Sequence, residues 1–239
     1  MFFILLLLTV GCATTSAVDD DYLTAVDKYN KGRYDEAISQ LGLFKSHHPY
    51  DRNAITAELL IADAQFALKQ YDEALYAYQR FVQLHPHHER IAYVWFQIGK
   101  VYWAQAPAAI NRDQDKTRQA MEIWRKLITQ HPRSEEATKA QALLRAGDKR
   151  IASSIAAIAK FYCAQGIYHS CAYRYLQLAA TTNDDGLAKS ATMKAASALD
   201  NLLQTQSANP DDKSNIYFNA YPAPVDLQSY INKLKSKVN

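Results

Sequence analysis

The sequence predicts an all-α fold, an α-solenoid of about five helix pairs, and three observations carry that prediction. First, one pattern is written twice: G-R-Y-D-E-A-I at residues 32–38, closing in H-H-P at Pro49, returns as K-Q-Y-D-E-A-L at residues 69–75, closing in L-H-P at Pro86. Tyr34/Tyr71, Ala37/Ala74, Leu41/Tyr78, Phe44/Phe81 and Pro49/Pro86 all stand 37 residues apart, which is an internal repeat. Second, apolar and small residues recur at helical spacing in each copy, so the unit reads as two antiparallel helices and a turn. Third, each pair supplies a small residue where its helices pack closest: Ala25 with Ala37, and Ala62 with Ala74, twelve residues apart both times.

The unit resembles a tetratricopeptide repeat, lengthened by three residues from the usual length of about 34. In the third repeat Trp95, Gly99 and Tyr102 mark the first helix, and Ala120, Trp124, Leu127 and Pro132 the second. Gly99 and Ala120 are 21 residues apart rather than twelve. The excess lies in an inserted loop at residues 104–117, where Pro107 stops the helix and residues 111–115 are polar. Residues 134–164 contain no Pro and a single Gly, Gly147, so a linking helix runs into the first helix of repeat four. Ala159 and Cys171 are the fourth small pair, with Gly166 and Tyr168 at the turn between them. A helix over roughly residues 187–203 caps the array. Residues 207–239 change character: three Pro, then Tyr217, Phe218 and Tyr221, then a short basic helix candidate over 225–238. A docking strap and partial disorder both fit this tail.

At 239 residues, 49% hydrophobic and 21% charged, the chain can bury a sizeable core. A net charge of +3, with no run of Lys or Arg longer than two, excludes a phosphate-tracking surface, so nucleic acid is not an expected partner. The opening M-F-F-I-L-L-L-L-T-V is too short for a permanent membrane span and reads as a signal-peptide core. The following Gly11-Cys12 resembles a bacterial lipobox, in which the Cys is lipidated and becomes the first residue; an ordinary signal peptide with an accidental Cys is the alternative. Several acyl chains make a firm anchor where a single one binds only marginally. By the same resemblance Ala13, where an Asp would retain the protein at the inner membrane, favours the outer membrane. The expected organisation is a signal peptide at 1–11, lipidated Cys12 with a flexible tether at 12–20, repeats 1–3 over 21–133 with the loop at 104–117, a linking helix with repeats 4–5 over 134–206, and a tail at 207–239.

Little points to chemistry. His48, His85 and His131 each precede a repeat-closing Pro at a helix C-terminus, where the helix dipole favours them, and equivalent positions lie too far apart to share an ion. No metal or cofactor is expected beyond the lipid on Cys12. There is no H-E-x-x-H, no G-x-S-x-G and no phosphate-cradling Gly loop. Cys163 beside His169 can be drawn as a dyad, yet repeat packing already explains its register. Cys163 and Cys171 fit equally as buried thiols or, in an oxidising compartment, as a disulfide. The chain reads as a non-enzyme.

The surface says more. Four residues beyond Ala25, Ala62 and Gly99 stand Tyr29, Phe66 and Trp103, with Tyr22, Tyr93 and Phe96 nearby. Asp63 and Lys100 add charge on the same face. Such a groove suits an extended peptide, because flat rings give large contact area at low entropy cost. Ordinary inter-repeat packing is the alternative for any one of these residues.

One family is similar through several segments: the BamD/ComL lipoproteins, the repeat subunit of the outer-membrane β-barrel assembly machine of Gram-negative bacteria. The similarity runs through residues 74–99 with H-P-x-H and Y-V-x-F, R-D-Q at 112–114, A-x-x-x-W-x-x-L-I-x-x-H-P-x-S at 120–134 and A-K-F-Y-C-A-Q-G-I-Y at 159–168. It implies a lipid-anchored scaffold on the periplasmic face of the outer membrane. It further implies N-terminal repeats that receive unfolded barrel precursors, and C-terminal repeats that dock a POTRA domain of the barrel-forming subunit. Arg174 aligns with an arginine of that docking surface. Arg112 and Asp113 are expected to hold the inserted loop, or to join the docking. Accessory lipoproteins are further partners in some members. A repeat lipoprotein that recruits cell-wall enzymes is the rival reading, sharing the anchor and groove.

Overall fold

The computed structural model describes residues 14–208 and 224–238. Cys12, the signal segment 1–11 and tail residues 209–223 lie outside the described residues. The described chain is all helical, with ten helices in order and no strand among the described residues. It divides into two compact units, residues 1–105 with 126–137, and residues 106–125 with 138–239.

The first unit contains α1 (Thr14–Asn30), α2 (Tyr34–His47), α3 (Arg52–Ala67), α4 (Tyr71–Leu84) and α5 (Ile91–Gln105), with the end of α6 (Asp115–Gln130) and the start of α7 (Glu135–Ala164). Each helix from α1 to α5 packs on the next, and α1 also reaches α3. Ala25, Ala37, Ala62 and Ala74 have at most 1% of their surface exposed, so the twelve-residue spacing marks small residues buried within each pair. Between them Leu41, Phe44, Tyr78 and Phe81 fill the core.

Both turns of the repeat are built from the backbone outward. Inside a pair, the chain leaves the first helix through a left-handed residue: Gly32 at φ 73°, Lys69 at φ 61° and Gly166 at φ 73°. At each, the residue's own N–H bonds three back and the next N–H bonds five back, as in Arg33 to Lys28 O, Gln70 to Gln65 O and Ile167 to Tyr162 O. This double bond satisfies helix-end carbonyls. Between pairs, His48, His85 and His131 end their helices with N–H bonds of 2.8 Å to Phe44, Phe81 and Leu127 O, and the following Pro prevents continuation. The next helix is then capped. The Asp51 carboxylate accepts from Asn53 N–H at 2.7 Å, and 37 residues later the His88 ring does the same for Arg90.

The second unit contains the 106–114 loop, the start of α6, most of α7, α8 (Tyr168–Thr181), α9 (Asp185–Ala208) and α10 (Pro224–Ser236). The linking helix expected over 134–164 is α7, unbroken through 30 residues and capped by Ser134 Oγ on Ala137 N–H. Its Gly147 is required by close approach: a Cβ there would stand 2.6 Å from Met121 Sδ. Ala159 and Cys171 are fully buried between α7 and α8, and Cys163 forms a disulfide with Cys171 across a Cα separation of 5.1 Å.

One expectation changes. Residues 14–20, read as part of a flexible tether, are the first turns of α1, because Val18 packs on the cluster of Ala25, Ala37 and Leu41 and the small residues around it tolerate helix. The short basic helix expected over 225–238 is α10, whose Leu227, Ile231 and Leu234 are buried against α9 at helical spacing, with Lys235 paired to Asp200 at 2.7 Å.

Candidate functional site

Asp63 lies one residue beyond the small position Ala62 on α3, and its side chain is buried, with 7% exposed. A buried carboxylate must be hydrogen-bonded. Tyr78 on α4 donates to its Oδ1 at 2.5 Å and Tyr93 on α5 donates to the same atom at 2.7 Å. Gln97, one turn beyond Tyr93, donates from Nε2 to the Tyr93 hydroxyl at 2.6 Å. Burial raises the Asp63 pKa, and the two hydroxyls and the Arg90 charge act against it. Burial, then the Asp63 charge, pushes both Tyr78 and Tyr93 upward, so they stay protonated donors.

Around this chain of bonds stand the sequence candidates of the first unit. The Arg90 guanidinium lies over the Tyr93 ring, 4.4 Å from its centre. Tyr29 is half-buried and meets Tyr34 edge-on at 5.5 Å, and burial, followed by Asp63, pushes its hydroxyl up to about 12. Tyr22 packs on Phe44 at 5.4 Å and is raised by burial, with Arg90 pulling it back. Phe66 repeats the Tyr29 contact one repeat later, against Tyr71 at 5.8 Å, and carries Lys100 Nζ 4.9 Å above its ring. Phe96 and Trp103 are half-buried on α5. The structure therefore gathers Tyr22, Tyr29, Asp63 and Tyr93 about Arg90, and sets Phe66 with Lys100 as a separate pair.

The docking candidates fall in the second unit. Arg174 on α8 is half-buried, donates to Gln177 Oε1 at 2.9 Å and lies 5.9 Å from the Tyr173 ring centre. Arg112 and Asp113 are exposed in the loop, with Asp113 paired to Arg118 at 3.2 Å. Asp113 thus ties the loop to α6, and Arg112 contributes its backbone carbonyl. Gln114, buried beside them, donates to Ala109 O and Arg112 O, and its Oε1 accepts from Thr117 and from Arg150 Nε on α7. Arg150 also donates to Pro107 O.

The family model described as "YfiO: Outer membrane lipoprotein" matches residues 16–214, well over half of the chain. The chain belongs to this family. Similar curated proteins carry the name outer membrane protein assembly factor BamD. That of Caulobacter vibrioides is 28% identical over 145 residues, 61% of this chain and 47% of the relative. That of Neisseria meningitidis serogroup A is 27% identical over 185 residues, 69% of each. That of Vibrio cholerae is 24% identical over 197 residues, 76% of this chain and 82% of the relative. The chain thus spans about half the length of the Caulobacter relative. Among solved structures, the TPR2AB domain of yeast Sti1 in its pHSP90 complex covers 94% of this chain at 16% identity and a TM-score of 0.48.

Three residues of this YfiO-family chain escaped sequence reasoning: Tyr78, Arg90 and Gln97. One signal was available for the first. The repeat places Tyr78 where the earlier copy has Leu41. A tyrosine replacing a core leucine, on the helix paired with the one that carries an Asp in the packing stripe, supplies the donor a buried Asp needs. Arg90 and Gln97 have no counterpart in that periodicity. The dyad drawn from Cys163 and His169 is excluded, since the Cys163 sulfur is bonded to Cys171.

Proposed function

We propose that this chain is a non-catalytic scaffold in outer-membrane protein assembly, held at the periplasmic face of the outer membrane by lipid on Cys12. Membership of an outer-membrane lipoprotein family and the name assembly factor borne by its relatives support that setting. The first unit receives extended segments of unfolded barrel precursors along Tyr22, Tyr29, Asp63, Phe66, Tyr93, Phe96, Lys100 and Trp103. The second docks the POTRA region of the barrel-forming subunit through Arg174, with the loop residues Arg112 and Asp113 beside it. No cofactor is called for.

The observation that carries the binding role is the polar-aromatic cluster about Asp63. The buried Asp63 fixes the half-buried Tyr93, with Tyr22 and Tyr29 standing nearby, and pre-organised rings bind extended chains at low entropic cost. A photo-crosslinking residue placed at Tyr29 should capture an unfolded barrel precursor, whereas one at the exposed Tyr76 on α4 should not. Equal capture at both would defeat the groove. Co-purification with the POTRA region, lost in a folded Arg174→Ala protein, tests the docking end separately.

A further inference from the structure

The bonds about Asp63 leave a pattern of unpaired groups that aromatic stacking does not explain. Tyr93 donates its hydroxyl proton to Asp63, so toward Gln97 it can only accept. Gln97 must therefore turn its amide N–H₂ to Tyr93. Its Oε1 is left buried with no donor, on a side chain only 8% exposed. An orphaned buried acceptor costs roughly the desolvation of that group, so it favours a state that brings an N–H to it.

Beside it stand unpaired donors. The Arg90 guanidinium stacks on Tyr93 and makes no ion pair or side-chain hydrogen bond among the described residues. Asp63 is near enough for its charge to be felt at Arg90, but both hydroxyls already occupy its Oδ1. The hydroxyl of Tyr29 is likewise without a hydrogen-bond partner among the described residues. One buried acceptor next to a planar cation and a phenol complements an N–H next to a carboxylate. A guanidinium grips both oxygens of a carboxylate with the N–H groups at its edge, and those of Arg90, 4.4 Å above the Tyr93 ring centre, carry no carboxylate among the described residues.

We propose that Arg90, with Tyr29 and Gln97, forms a receiving site for a peptide carboxylate and a neighbouring backbone N–H. Arg90 takes the carboxylate, Tyr29 adds a hydrogen bond to it, and Gln97 Oε1 accepts the N–H. The inference rests on the peptide-binding reading of the first unit and adds to it a chemical requirement on the ligand. The carboxylate comes from an acidic side chain or from a chain end.

The test uses the full chain and one fluorescent peptide of alternating aromatic and polar residues in three versions: uncharged with an amidated end, the same with a free terminal carboxylate, and amidated with one internal Glu. Binding is read by anisotropy. At least one carboxylate version should bind about tenfold or more tightly than the uncharged one, as expected for a charge-assisted bidentate bond. Which version gains names the source of the carboxylate. Arg90→Gln should abolish the preference and Tyr29→Phe should reduce it, each read as the ratio to the same variant's affinity for the uncharged peptide. Tyr29→Phe lies outside the Asp63 bonds and keeps the test open if Arg90→Gln does not fold. Equal affinity of the wild type for all three peptides would overturn the carboxylate site and leave the groove standing. Full preference retained in the folded variants would overturn it too, and failure of every peptide to bind would remove the groove itself.

Discussion

Asp63 on α3 and Tyr78 on α4 are joined by a 2.5 Å hydrogen bond across the helix pair, and Tyr78 occupies the core position that Leu41 holds one repeat earlier. A core position has thus been given to a polar pair that fixes the face where Tyr93 and Arg90 stand. Tyr78→Phe removes one of the two hydroxyls on a buried carboxylate and should cost about 1–3 kcal/mol, the usual penalty for a buried group losing its partner. The pH dependence has a definite sign. The folded-state pKa of Asp63 is raised, so its contribution is fully present below the unfolded value of about 3.9 and declines as pH rises through the folded value. Asp63→Asn keeps an acceptor for the hydroxyls without that decline. Urea midpoints of the Asn variant should match wild type in acid and exceed it near neutrality; a gap that closes as pH rises would refute the assignment.

Lys69 holds at φ 61° the left-handed turn that Gly32 and Gly166 hold in other pairs. A side chain in that conformation carries roughly 1–2 kcal/mol of strain, partly offset by the greater freedom of an unfolded Gly. Lys69→Gly should therefore stabilise the protein by up to about 1 kcal/mol. Gly32→Ala should destabilise it by about as much, although nothing stands within 4 Å of the added methyl. Thermal melts of the two variants moving in the same direction would contradict this.

Gly147 on α7 faces Met121 on α6, and an added Cβ would stand 2.6 Å from Sδ and 2.8 Å from Cγ. Those atoms are mid-chain on a side chain only 3% exposed, so they cannot swing clear. Gly147→Ala should cost about 1–3 kcal/mol by overpacking. Adding Met121→Ala should recover part of the loss, in a double-mutant cycle read from denaturation midpoints.

What the sequence made legible is what repeats. The His-Pro helix ends, the small pairs twelve apart and the turn at Gly32 and Gly166 follow from a period, and a period survives without coordinates. Asp63 was legible as charge on the right face, but its partners were hidden because Tyr78 reads as one more aromatic in a core position. Arg90 precedes α5 and Gln114 lies in a loop, where neither helical spacing nor the 37-residue repeat constrains a residue. The R-D-Q segment could be picked out, yet only packing shows that its third residue is the buried one. The α1 start at Thr14 was missed because small polar residues fit a tether as well as a helix, and the contact of Val18 decides between them.

Cys163 and Cys171 are bonded across the turn between α7 and α8. Closing so short a loop in the unfolded chain is worth roughly 2–3 kcal/mol in the entropic account. Replacing both by Ala should lower stability by about that amount and leave the reduced wild type and the variant alike. Thiol titration of unfolded, unreduced mature protein lacking Cys12 should find no free thiol. Two would show that the pair is not oxidised.

Gln114 is the keystone of the loop between α5 and α6, since all four of its bonds lie inside the loop and its supports: two to the carbonyls of Ala109 and Arg112, and two from Thr117 and Arg150. A leucine of similar size keeps the volume and removes every one of them. Thr117 is then left with a buried donor, at about 1–3 kcal/mol, and the half-buried Arg150 loses one of its bonds while keeping that to Pro107 O. The exposed tip, with Ile110 at 41% exposure and Arg112 beside it, loses its fixed shape while its own residues are untouched. If the tip contributes to docking, Gln114→Leu should weaken co-purification of the POTRA region about as much as Arg112→Ala does. Hydrogen exchange should rise at residues 106–114 only in the Gln114 variant. Normal docking by a Gln114→Leu protein with an exchanging loop would confine the loop's role to stability and leave Arg174 as the docking candidate.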